Sequence, residues 1–219
     1  MNKIAIYGAG SYAQEVACMI DKINHRVGND DIRWEFVGYY DDDMSLWGKE
    51  LLFGKVLGGM QSLNAFVGRL NLVVGIANTE VIRSIIGKIK KQDVVYPNII
   101  DPDTSYTHKE SIKIGVGNII GEGCRIGPYV SIGNFNVVVN DSVFGHDVVL
   151  GDYNVFFPAV RLSGKVNVEN NNTFGVGTVI LPGLSVASGD KFAPGTILQV
   201  DTESDFIYFG NPARKMKTV

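Results

Sequence analysis

Of the three histidines in the chain, His25, His108 and His146, only His146 stands where its surroundings repeat. It follows Phe144 and Gly145, precedes Asp147, and has Gly164 eighteen residues further on. An imidazole beside a carboxylate can act as a general base, the carboxylate orienting the ring or raising its basicity. A glycine one layer away leaves room for a ligand at the backbone and can present its N–H to a carbonyl oxygen. Together they suit attack on a thioester or ester carbonyl. The plainer alternatives are a surface histidine and a solvated turn carboxylate. His25 lies in a polar, loop-like stretch from Asn24 to Asp31 and reads as a solvated surface residue. His108 comes just before the first regular repeat and reads as loop or capping structure.

A second candidate lies near the start. Gly8-Ala9-Gly10-Ser11-Tyr12-Ala13 follows a short apolar run and matches the G-x-G-x-x-G/A pattern that sets a phosphate on a helix N-terminus. A dinucleotide site calls for an acidic residue roughly 20 positions further on. Here the next strand ends at Asp41, followed by Asp42 and Asp43, 33 positions after Gly8. The turn therefore favours a nucleotide over NAD, and the alternative is a glycine pair that serves only close strand-to-helix packing. The acidic run suits a base or ribose, or is a solvated loop.

The elements that position these residues follow from periodicity. From Ile114 every sixth residue is large and apolar: Ile114, Ile120, Ile126, Ile132, Val138, Phe144, Leu150, Phe156, Leu162, Val168, Phe174, Ile180, Val186, Phe192 and Leu198. A fixed six-residue period is the signature of a parallel β-helix of hexapeptide repeats, short strands stacked around one apolar interior. Pro128, Pro158, Pro182 and Pro194 all fall two residues after an inward position. Proline cannot donate to a strand ladder, so that phase is a corner. His146 shares the phase and points outward. With three hexads to a coil, Gly164 is one coil above it, about 4.8 Å away along the axis.

The first hundred residues alternate instead. Lys3 to Tyr7, Trp34 to Tyr40, Leu72 to Ile76 and Val94 to Tyr96 read as strands, with helices over Ser11 to Ile23 and from about Thr79. Strands alternating with helices imply parallel βαβ units, a small Rossmann-like α/β domain over residues 1–100. Pro97 to His108 lacks periodicity and reads as the boundary to a β-helix domain over residues 108–219. Asp201 to Val219 leaves the hexad frame and reads as a cap on the last coil.

Composition narrows the partners. A net charge of −3 argues against a nucleic-acid surface. Two cysteines, Cys18 and Cys124, read as reduced thiols of a cytoplasmic protein, and no stretch reads as a signal peptide or membrane span.

Over essentially its whole length the chain resembles the bacterial sugar acyltransferases of the left-handed β-helix superfamily, the nucleotide-amino-sugar N-acetyltransferases and their sialic acid O-acetyltransferase relatives. The resemblance rests on Ile6-Tyr7-Gly8-Ala9-Gly10, Gly75-Ile76-Ala77-Asn78-Thr79-Glu80-Val81-Ile82-Arg83, the Gly145-His146-Asp147 corner, and Gly210-Asn211-Pro212-Ala213-Arg214. It implies a homotrimer with acetyl-CoA, as co-substrate, in the groove between adjacent β-helices, and no metal. It implies that Gly8, Gly10, Ser11, Asp41, Asp42 and Asn78 hold the nucleotide of the acceptor sugar. It implies His146 as general base with Asp147 as its partner, and Gly164 supporting the acetyl carbonyl. Gly175, Val176, Gly195 and Arg214 are then the positions expected to meet CoA. The reaction so implied is direct N-acetylation of the 4-amino group of a nucleotide-linked amino-deoxy sugar. O-acetylation of sialic acid or a related sugar, or a non-catalytic trimeric scaffold, are the alternatives. Many members carry a second histidine nine residues after the base; here Val155 takes that place.

Overall fold

A computed structural model describes residues 2–26 and 34–217. The chain forms two compact units, Met1–Pro102 and Asp103–Val219.

The first unit is built on a four-stranded sheet of β1 (Asn2–Tyr7), β2 (Trp34–Tyr40), β5 (Leu70–Val74) and β6 (Val94–Val95), in the order β2-β1-β5-β6. The paired strands run parallel. Between them lie α1 (Ser11–Arg26), the hairpin β3 (Glu50–Leu51) and β4 (Gly54–Lys55), α2 (Met60–Asn64) and α3 (Thr79–Lys88). Helix α1 buries Ala13, Val16, Ala17 and Ile20, one stripe of an amphipathic helix, while Ile4 and Ile6 of β1 are wholly buried. Asn78 caps α3, its Oδ1 accepting from Val81 N–H at 3.0 Å. Strand β5 begins at Leu70, two residues before the sequence signal, because Leu70 and Asn71 pair with β6. It stops at Val74, where a side chain on Gly75 would strike Ile6 and Ala13. The β3–β4 hairpin and α2 are too short to leave a periodic trace. Helix α1 runs three residues past Ile23 and takes in Asn24 and His25; the remainder of the polar stretch to Asp31 lies outside the described residues.

The second unit is a β-solenoid of about six turns with two-residue strands. One column stacks Ser105–Tyr106, Arg125–Ile126, Val143–Phe144, Arg161–Leu162, Val179–Ile180 and Ile197–Leu198. A second stacks Lys113–Ile114 up to Ser185–Val186, and the third includes Ile119–Ile120 up to Lys191–Phe192. Within the regular coils each residue pairs with the one eighteen positions on, as in Val143 with Arg161 and Phe144 with Leu162. Every inward hexad residue except Ile114 is buried. The third column carries a stack of rings, with Phe156, Phe174, Phe192 and Tyr208 at successive centroid separations of 4.6, 4.7 and 5.3 Å.

Both ends depart from the hexad frame. Ser105–Tyr106 pairs with Arg125–Ile126, twenty residues on, because the 3-10 turn Lys109–Ser111 lengthens the first coil. The solenoid thus starts before Ile114, and His108 precedes that turn as its N-cap residue, though its side chain makes no capping bond. At the far end Lys191 and Phe192 pair with Ile207 and Tyr208, sixteen residues on, so Phe206–Phe209 adds one more parallel strand. Arg214–Lys217 then folds back antiparallel on that strand, which pairs its outer edge.

A second inward position, four residues after every third hexad apolar, carries a polar ladder. Asn118, Asn136, Asn154 and Asn172 lie one above another, all fully buried. Asn118 Oδ1 accepts from the backbone N–H and from Nδ2 of Asn136, at 2.9 and 3.1 Å. Asn136 Nδ2 also donates to the Gly151 carbonyl at 2.9 Å, and Asn154 repeats the set one rung up. Each amide therefore both donates and accepts along the axis. The next rung is Asp190. Its N–H donates to Asn172 Oδ1 at 2.7 Å and its Oδ1 accepts from Phe206 N–H at 3.1 Å. Its Oδ2 and Asn172 Nδ2 are buried without a partner. Burial pushes the Asp190 carboxyl up from 3.8 to about 6.

An acid whose folded pKa exceeds its unfolded value destabilises the fold once ionised. The penalty grows as pH rises from about 4 to about 6 and is constant above that. Asp190→Asn, which supplies the missing donor, should raise stability at pH 7 by about 2 kcal/mol, a gain that vanishes near pH 4. Thermal melts across that range check both the sign and the window.

Candidate active site

Gly145-His146-Asp147 turns the corner after the first column of strands. Gly145 N–H donates to the Leu162 carbonyl at 2.8 Å, and Asp147 N–H to the Pro128 carbonyl at 3.0 Å. A side chain on Gly145 would lie 2.7 Å from Gly164 N, so only glycine permits the rungs to close here. Asp147 takes a left-handed conformation, φ +57°. This swings its carboxylate alongside the ring, and His146 Nδ1 lies 2.8 Å from Asp147 Oδ2. A carboxylate accepts, so Nδ1 carries the proton and Nε2 is left with a free lone pair. Both side chains are about half exposed. His25 and His108 are also exposed, beside Asp21 and Glu110.

The ring leans over the next rung. A Cβ on Gly164 would meet His146 Nε2 at 2.4 Å and Cε1 at 2.6 Å, so the imidazole occupies the space a side chain at 164 would fill. The Gly164 backbone N–H has no hydrogen-bond partner among the described residues, and the register explains why. At another corner the equivalent amides of Val116, Asn134 and Asp152 donate to the side chains of Asn134, Asp152 and Asn170, each one rung up. The residue one rung above Gly164 is Pro182, which offers no acceptor. A lone pair on Nε2 and an unfilled N–H thus lie side by side. That is the pairing required by a reaction in which a nucleophile loses a proton while a carbonyl oxygen gains negative charge.

The positions expected at CoA occupy a different corner. Gly175 and Val176 follow Phe174, and Gly195 follows Pro194 one rung above Val176. Gly175 sits hard against the Pro194 backbone, where a side chain would come within 2.6 Å of Pro194 N. Val176 is exposed, and with Pro194 above it its N–H also lacks a partner among the described residues. Gly195 has φ +71° and donates to the Val176 carbonyl at 2.8 Å. Arg214 opens the terminal antiparallel strand and is exposed, whereas Lys215 pairs with Glu203 and lies over the Phe206 ring. Within the chain, then, His146, Asp147 and Gly164 come together, and Gly175, Val176 and Gly195 form a separate group. Val155 is wholly buried and offers no polar atom in place of a second imidazole.

In the first unit the glycine turn is built differently from a phosphate cradle. Gly8 has φ +108° and a side chain there would strike Ile76, so its role is close packing. Ala9 N–H donates to Asp41 Oδ2 at 2.9 Å, which places a carboxylate where a phosphate would sit. Gly10 and Ser11 are exposed at the start of α1, and Asn78 is engaged as the α3 cap. Beside the turn is a cleft of about 420 Å³. Tyr7, Asp41 and Asp42 line one side; Ile76, Val81 and Ile85 give it an apolar wall, with Glu80, Ser84 and Lys88 along α3. Tyr7 Oη donates to Asp42 Oδ1 at 2.7 Å, and Met60 N–H donates to the same oxygen at 3.0 Å. The Tyr7 bond holds the Asp42 carboxyl below its usual value, while burial and the same carboxylate raise the Tyr7 phenol. The cleft suits a flat group bearing N–H donors better than a naked phosphate. Glu80, Ser84 and Lys88 escaped the sequence reading, although their four-residue spacing marks one face of α3.

Residues 3–89 match the family described as the PglD N-terminal domain. Along almost its entire length the chain is 30% identical to GDP-perosamine N-acetyltransferase of Escherichia coli O157:H7, with 99% of this chain and 97% of that protein aligned. The chain belongs to the hexapeptide-repeat sugar acyltransferase family. It is an acyltransferase. The same fold is found in WeeI from Acinetobacter baumannii AYE, with a TM-score of 0.85, 22% identity and coverage of 99% and 100% of the two chains. A mutant perosamine N-acetyltransferase from Caulobacter crescentus, solved with CoA and GDP-perosamine, superposes with a TM-score of 0.80 at 21% identity over 100% and 98%. The solenoid is accordingly a left-handed β-helix. Among the described residues no cluster of His, Cys, Asp or Glu could hold a metal ion, and no helix is long and apolar enough to cross a membrane.

Gly164→Ala should push the His146 ring aside, since the three atoms nearest the new methyl all belong to that ring. The expected result is a melting temperature close to wild type with turnover reduced by about 100-fold or more. Retained turnover would mean that the ring's position over Gly164 is unimportant.

Proposed function

We propose that the protein transfers the acetyl group of acetyl-CoA to the 4-amino group of a nucleotide-linked amino-deoxy sugar, with His146 as general base. The observation that carries this reading is the His146–Asp147 pair inclined over Gly164 with an unfilled N–H beside it. Asp147 fixes the tautomer, so Nε2 faces the acceptor. As the amine nitrogen attacks the thioester carbonyl, a C–N bond forms and Nε2 takes the amine proton. The carbonyl electrons move to oxygen, and the Gly164 N–H stabilises that oxyanion. Collapse of the tetrahedral intermediate breaks the C–S bond, and the imidazolium returns its proton to the thiolate of CoA. Protonation of His146 in advance would remove the base, so turnover should fall on the acidic side.

The nucleotide is assigned to the first unit's cleft, its base donating to Asp42 and lying against Ile76 and Val81. The 30% identical E. coli relative supports a GDP-linked sugar, and the CoA-bound Caulobacter structure supports acetyl-CoA as donor. The Val176 corner and Arg214 are assigned to CoA. A single protomer keeps that corner apart from His146, whereas the groove between neighbouring copies of a homotrimer would bring the two together. The protein is placed in the cytoplasm, in keeping with its two free cysteines.

The test incubates purified protein with acetyl-CoA and a panel of GDP-, UDP- and dTDP-linked 4-amino-6-deoxy sugars plus free sialic acid, following thiol release. Release with one nucleotide-linked amine is expected. Release with sialic acid alone would instead establish O-acetylation by the same base, and silence across the panel despite CoA binding would point to an acceptor outside it. His146→Ala should fold normally and lose about 10²- to 10⁴-fold in kcat, and Asp147→Asn should lose at least about 10-fold. Undiminished turnover in His146→Ala would sink the mechanism.

A further inference from the structure

We propose that Lys165 is a further catalytic group of this reaction, its ammonium supporting the oxyanion that forms beside Gly164. The proposal rests on the acetyl-transfer reading above. Tyr129, Asp147, Lys165 and Gly183 occupy the same left-handed corner position on successive rungs, with φ of 61°, 57°, 62° and 76°. Lys165 therefore follows Gly164 directly and lies one rung above Asp147. Its backbone N–H donates to the His146 carbonyl at 2.8 Å, which ties it to the reactive turn. Its four-carbon stem is long enough to cross the single rung spacing of about 4.8 Å.

The side chain is exposed and has no ion-pair partner among the described residues. Some lysines of the chain are paired: Lys22 with Asp101, Lys55 with Glu50 and Lys215 with Glu203. The column accounts for the difference. Gly183 above has no side chain, and Asp147 below has its Oδ2 committed to His146. The cation is thus left without an ion-pair partner on the corner that carries Gly164 and, one rung below, His146.

Two chemical roles suit a free ammonium here, and position separates them. A contact to the phosphates of CoA belongs far from the thioester, and the residues assigned to CoA lie elsewhere, Val176 and Gly195 at another corner and Arg214 in the terminal strand. Lys165 adjoins Gly164, at the thioester end. It forms no bond and gives no proton; it stabilises charge on the carbonyl oxygen alongside the Gly164 N–H.

Wild type, Lys165→Met, Lys165→Arg and His146→Ala are compared by steady-state kinetics with acetyl-CoA and GDP-perosamine, or with whichever panel member is turned over. Lys165→Met should lower kcat by about 10- to 100-fold with both KM values within about twofold, and Lys165→Arg should restore most of the rate. Loss of kcat in Lys165→Met with KM unmoved, together with its recovery in Lys165→Arg, is an outcome that a merely structural role would not produce. Unchanged kcat, or a raised KM for acetyl-CoA with kcat intact, overturns the proposal; the latter assigns Lys165 to a CoA phosphate. A wild type that depends on His146 but not on Lys165 sinks this proposal alone. Full turnover in His146→Ala, or none by wild type with any panel member, sinks the acetyl-transfer reading and this proposal with it.

Discussion

The ladder of backbone hydrogen bonds that joins each solenoid residue to the one eighteen positions on is the constraint from which the rest of the second unit follows. Because the rungs are parallel and in register, residue type repeats in space whenever it repeats at that interval. Apolar residues become an interior, phenylalanines a stack of rings, and asparagines a second hydrogen-bonded column. The same ladder fixes which residue stands over His146. No loop conformation or domain motion is needed to bring Gly164 beside the ring; two residues eighteen apart have no other choice.

The register also explains what is left unfilled. Along one corner each outward-turning amide meets a side-chain oxygen from the rung above. Proline above Gly164 and above Val176 interrupts that arrangement and leaves N–H groups for a ligand. A rigid scaffold thus leaves donors unpaired at a few positions by omission of an acceptor. The left-handed turn at Asp147 adds the one side-chain interaction the ladder itself does not supply.

In the first unit the decisive interaction is the bond from Ala9 N–H to Asp41. It closes the glycine turn with a carboxylate of the same chain. The Ala9 N–H that the phosphate-binding pattern would offer to a ligand is thereby taken up within the chain. Tyr7 and Met60 fix one oxygen of Asp42 beside the cleft.

Much of this was legible in the sequence, because the solenoid translates linear period directly into space. The hexads, the proline phase, the outward direction of His146 and its alignment with Gly164 all follow from counting. The asparagine column was equally open to counting, at the position four residues after every third hexad apolar. Other features depended on side-chain torsions and on the irregular ends, which carry no period. Among these are the contact between Asp147 and His146, the capture of Ala9 N–H by Asp41, the cleft face of α3, the early first strand at Ser105 and the last parallel strand at Phe206. A repeat determines where a backbone must go. Where a side chain turns, and which donors remain unpaired, is decided only when neighbouring rungs compete for the same hydrogen bonds.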